Sequence, residues 1–130
     1  MSADLKNLVG LLETVFETEQ ARLRLCSEEL GKAEDSLREV QTARAHRSRA
    51  LADLPAADVA WAAGHDARWL AWLDRAAAAR RGALARAASR HQAQMLATRT
   101  AFGRLQALRT TAQLQADEAR QKAARRAEDS

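Results

Sequence analysis

From residue 5 to residue 54 the chain keeps one heptad register, and nothing else in the sequence constrains its fold as much. With Val9 at position a, Phe16, Leu23, Leu30, Leu37 and Leu51 also fall on a, while Leu5, Leu12, Cys26, Ala33, Val40 and Leu54 fall on d. Only Glu19, Arg44 and Arg47 interrupt the pattern. Apolar residues at this 3.5-residue spacing line one side of a helix that packs lengthwise against another helix. At 1.5 Å per residue such a helix is about 75 Å long, so the expected architecture is a rod.

The rest of the composition agrees. There is no tyrosine, aromatics are few, and Ala, Arg, Gln, Glu and Leu dominate, which favours an all-α coiled coil over a β domain. Charged residues break every apolar run before the roughly 18 residues of a membrane span. Residues 8–15 are too short and too acid-flanked for a signal peptide, which makes a cytoplasmic location the expectation. Cys26 falls on a seam d position, where a small buried group is wanted. His46, His65 and His91 have no carboxylates at ligand spacing, so no metal and no cofactor are expected.

The register stops at Pro55, the only proline, which disfavours helix at the residue before it. The organisation expected over residues 1–130 is a single hairpin, with helix one over about 3–53, a turn containing a short helical piece over about 54–65, and helix two over about 66–127. Asp58 caps the short piece carrying Val59 and Trp61. Gly64 then stops it, and Asp66 caps helix two. The second stripe runs through Leu70, Ala77, Leu84, Ala88, His91, Met95, Thr98, Phe102, Leu105 and Ala112, ending on Ala116, Ala119 and Ala123.

Two long helices joined by a short turn lie antiparallel. Matching the stripes gives paired positions that sum to about 121, so that Phe16 meets Leu105, Cys26 meets Met95, Ala33 meets Ala88, Leu51 meets Leu70 and Arg47 meets Asp74. An alternative with a tighter turn slides the pairing by one heptad and sets Val40 against Asp74. Charge supports the antiparallel arrangement: residues 13–39 hold eight acids against four bases, and residues 75–116 hold eight arginines and no acid. That arginine face is a candidate footprint for nucleic acid, but half of it is neutralised by helix one. No basic-region cluster or aromatic stacking platform accompanies it, and a nucleic-acid partner is not expected. A hairpin offers no pocket of its own, so catalysis is not expected either.

An aromatic-x-x-aromatic-apolar box opens helix two as Trp69, Trp72 and Leu73. Further on come Phe102, Leu105 and Leu108, then Ala116, Asp117, Glu118 and Ala119 followed by Arg120, Arg125 and Arg126. On these stretches and on its hairpin architecture the chain resembles the flagellar type III export protein FliJ and its injectisome counterparts, the YscO-like proteins. The resemblance implies a non-catalytic stalk or escort subunit. The end with both termini enters the ring of the export ATPase, and other contacts are made with the export gate protein and with substrate chaperones. It implies a cytoplasmic protein, peripheral at the cytoplasmic face of the membrane when assembled but not inserted in it. The tip contact falls on Trp69, Trp72 and Leu73, with Trp72 the more exposed indole, and the open-end contact on Leu5, Arg120, Arg125 and Arg126. Around the tip, Arg44, Arg47, Arg49, Arg68 and Arg75 form a basic rim. Outside the seam, Leu8 and Val15 widen it, whereas Leu11 and Leu25 point away from it. A coiled-coil scaffold or chaperone of another bacterial assembly is the alternative.

Overall fold

The structure is a computed structural model that describes residues 3–130, without the side chains of residues 57 and 59–65. It is all-α, with α1 over Ala3–Ala52 and α2 over Ala56–Asp129 packed as an antiparallel hairpin. The roles given to Val59, Trp61 and His65 lie outside the described side chains.

The connection is tighter than the sequence suggests. Only residues 53–55 separate the helices. The Leu54 amide donates to the Leu51 carbonyl at 3.2 Å, and the Asp58 amide closes the first turn of α2 on the Pro55 carbonyl at 2.9 Å. Proline is well placed here, since an amide at a helix start has no intrahelical acceptor. The short helical piece is not separate from helix two: α2 runs unbroken through Gly64. Glycine costs a helix about 1 kcal/mol against alanine, too little to stop a run flanked by Ala60, Ala62, Ala63 and Ala67. Asp66, expected as a cap, is a buried residue inside the helix instead.

The chain divides into two compact units. The first, Cys26–His91, contains the turn. Its core is Val40, Leu73 and Ala77, with Leu37, Trp69, Leu70 and Ala76 packed around them. The α1 stripe stands where the heptads put it, and its interruptions are answered by polar residues of α2. Arg47 pairs with Asp66 and Arg44 with Asp74, the latter at 2.7 Å. Asp74 is thus held three residues earlier on α1 than the expected Arg47. The Arg80 guanidinium donates to the Ser36 carbonyl at 2.7 Å, and His91 Nε2 lies 3.1 Å from the Ser27 hydroxyl.

The second unit joins Met1–Leu25 to Gln92–Ser130. Leu105, 1% exposed, is its most buried side chain, beside Ala101 and Thr98. Phe16 and Leu105, expected to meet, line one crevice of about 260 Å³, and the ring contact of Phe16 is with Phe102, centroid to centroid 5.4 Å and tilted 49°. Glu19 sits on the seam facing Gln94. Gln94 Nε2 donates to the Glu19 carboxylate and carbonyl, and the Thr98 hydroxyl donates to the Gln94 carbonyl at 2.8 Å.

In both units the α2 seam differs from the expected stripe at every second layer. Ala87 and Ala101 are buried, whereas Ala88 is exposed and Phe102 is 45% exposed. The pairing falls between the two expected registers, because a heptad stripe alternates steps of four and three and the large residues Met95 and Phe102 stand just beside it.

Candidate functional site

In the unit containing the turn, Trp69, Trp72 and Leu73 follow one another at helical steps that send them in different directions. Trp69 is half-buried and packs on the Val40 cluster. Trp72 points away and is 55% exposed. Leu73 is 3% exposed and lies in the core between the helices. The tip contact expected at Leu73 is therefore corrected: its side chain faces α1, and burial leaves it nothing to offer an outside partner.

The basic rim also changes. Arg44 is bound to Asp74 and Arg47 to Asp66, so neither is a free cation beside Trp72. The Asp66 hydrogen bonds, and after them its charge, raise the Arg47 guanidinium further above its already high ordinary value, against a small opposing effect of burial. Arg68 and Arg75 stand four before and three after Trp72, on the same face of α2, and form no ion pair among the described residues. An exposed indole between two exposed guanidiniums suits an acidic surface with a shallow apolar pocket, and Trp and Arg are the side chains most enriched in interface hot spots.

In the unit containing the termini, Leu5 is half-buried against the start of the seam. Arg120 is paired with Asp117 one turn before it, and Asp117 also accepts from Gln113 at 3.2 Å. The pairing follows from the i, i+3 spacing of the two residues. Arg125 and Arg126 are exposed and form no ion pair among the described residues. The crevice lined by Val9, Ala112 and Ala116 lies near the end of the paired region, and residues 118–130 are exposed throughout although helical to Asp129.

Several exposed apolar residues extend the set read from the sequence. Leu8 and Val15 do not widen the seam as expected; both are exposed, like Leu11 and Leu25. On α2, Leu96 and Leu114 are exposed as well. Their 3–4 spacing with Thr100, Gly103, Ala107 and Thr110 was the available signal, hidden by the small residues between them. Cys26 is a free, half-buried thiol on the seam. Among the described residues no three His, Cys, Asp or Glu side chains gather as a metal site, and no helix is long and apolar enough to cross a membrane.

Compared with known proteins, the chain matches no family model, no curated protein and no solved structure.

Proposed function

We propose that this chain is a non-catalytic coiled-coil stalk or escort subunit of a type III export apparatus, in the manner of the FliJ and YscO-like proteins it resembles. The observation that carries the reading is the helix beyond Asp117. It is exposed on every side and presents Arg125 and Arg126 with no ion pair among the described residues. A projecting helix of this kind suits insertion into the acidic interior of the export ATPase ring. Trp72 with Arg68 and Arg75 serves a second contact, with the export gate protein, and substrate chaperones are further partners. The working location is the cytoplasm, at the membrane face when the apparatus is assembled.

The test is stimulation of the cognate export ATPase by the full chain and by a chain lacking residues 117–130. Loss of stimulation on deletion is expected. Equal stimulation by both chains would remove the stalk reading and leave a scaffold of another assembly.

A further inference from the structure

Two crevices open side by side in the unit built from residues 3–25 and 92–130. One, of about 260 Å³, is lined by Phe16 and Leu105, and the other, of about 450 Å³, by Val9, Ala112 and Ala116. Arg109 lines both, and its ion pair with Glu13, at 3.1 Å, spans the two helices between them. Val9 lies seven residues before Phe16 and Ala112 seven after Leu105. In an antiparallel pair this sets the crevices one heptad apart, about 10.5 Å along the same flank of the seam.

Two properties set this flank apart from ordinary surface. The first is that the chain does not fill it. Alanines at 112 and 116 are all that α2 offers Val9, and at the other crevice Phe102, in ring contact with Phe16, is left 45% exposed. The second is Gly10. It stands one heptad before Glu17, which lines the Phe16 crevice, and so holds the matching place on the rim of the Val9 crevice. A Cβ added there would meet nothing within 4 Å, so nothing inside the chain requires glycine at a helical position that it weakens by about 1 kcal/mol against alanine. A rim without a side chain lets another backbone approach closely. Gly103 is equally open but lies on the back of α2, and Gly31 belongs to the other unit.

Charge selects what fits. Glu13 is matched by Arg109, whereas Glu17, one turn on, is exposed and forms no ion pair among the described residues. The α2 positions on the same rim, Gln106 and Gln113, are uncharged. Lys6, Arg24 and Arg99 stand only toward the ends of the trough. Its middle therefore presents a carboxylate to whatever covers it.

We propose that this trough receives an amphipathic helix of a partner protein. Apolar side chains at i and i+7 of that helix enter the two crevices, a polar residue between them crosses the Glu13–Arg109 pair, and a lysine or arginine meets Glu17. Two apolar anchors two turns apart are the common means by which a groove holds a helix, and the cation decides which helix is accepted. The inference does not rest on the export reading.

Fluorescence anisotropy with the full chain and two labelled synthetic amphipathic helical peptides tests it. Both peptides carry leucine at i and i+7; one is flanked by lysines and the other by glutamates. The lysine peptide is expected to bind saturably, about tenfold or more tighter than the glutamate peptide. Ala112→Phe, which fills one crevice, and Gly10→Gln, which covers the rim while favouring the helix, should each weaken binding by about tenfold with helicity kept in circular dichroism. Glu17→Lys should reverse the preference between the peptides. Leu11→Glu, on the opposite flank of α1, should leave binding unchanged. Failure of the lysine peptide to bind overturns the proposal, as does equal binding of both peptides or binding that tolerates both Ala112→Phe and Gly10→Gln. A wild-type mass of twice 14.3 kDa in sedimentation, abolished by Gly10→Gln, would overturn it in favour of a second copy in the trough. Should Ala112→Phe lose helicity, Gly10→Gln and Glu17→Lys still decide.

Discussion

Arg47 grips Asp66 at two points, Nε donating to Oδ2 at 3.0 Å and Nη2 to Oδ1 at 2.9 Å, across a separation of only 19 residues. The carboxylate is almost wholly buried and the guanidinium is partly exposed. A polar residue that breaks the α1 stripe has thus found the polar residue that breaks the α2 stripe. Planar two-point binding is available to arginine and not to lysine, so the pair favours this alignment of the helices over neighbouring ones.

The pH dependence follows from the sign of the shift. Arg47 is raised in the folded state, so its contribution is fully present below the unfolded value and is lost only as pH rises through the still higher folded one. In Arg47→Lys the ammonium loses its proton near pH 10.4, approximately, and only one donor direction remains. Thermal melts from neutral to alkaline pH should show the variant losing more stability than the wild type above about pH 9. Parallel curves would show that the pair does not contribute through its charge.

Adjacent residues at the box should behave in opposite ways. Leu73→Ala removes a core side chain and should cost about 2 to 5 kcal/mol in denaturant unfolding, toward the lower end in a two-helix seam that relaxes easily. Trp72→Ala should change stability by no more than about 0.5 kcal/mol while weakening the proposed gate contact. A large loss at Trp72 would mark it as part of the fold.

The α2 seam can be tested at two alanines. Ala101→Phe overfills a buried layer and should cost about 1 to 3 kcal/mol. Ala88→Leu, on exposed surface, should stay within about 0.5 kcal/mol. The reverse order would restore the seam read from the sequence.

That seam shows what the sequence could and could not reveal. On α1 the stripe was readable because its layers are filled by Phe16, Leu23, Leu30 and Leu37, and the surrounding residues are polar. On α2 the buried positions include Ala87 and Ala101, with Arg80 and Gln94 also turned inward, while the bulkier Met95 and Phe102 stand one position away. Alanine is at home inside or outside, so hydropathy cannot choose between 87 and 88 or between 101 and 102. The pairing inherited that ambiguity and came out three residues from the observed Arg44–Asp74 contact. The exposure of Trp72 relative to Trp69 was readable from their three-residue spacing. The burial of Leu73 was not, because the stripe had been phased on its neighbours.

The polar layer at Glu19 offers a further test of specificity. Removing one partner, as in Gln94→Leu, leaves the Glu19 carboxylate only its ion pair with Arg22 and should cost about 1 to 3 kcal/mol. Replacing both, Glu19→Leu with Gln94→Leu, should recover most of that loss. A double-mutant cycle by chemical unfolding checks the coupling; simple additivity would show that the two side chains act independently.

The hairpin connection has a consequence for how the chain is made. Arg47 and Asp66 are 19 residues apart, but Glu13 must wait for Arg109, 96 residues later. At about 5 to 20 residues per second, that interval lasts roughly 5 to 20 s on the ribosome. Throughout it the first turns of α1, with Leu12 and Phe16 facing outward, have no mate and are open to cellular chaperones. Those turns, synthesised first, are the last to be matched.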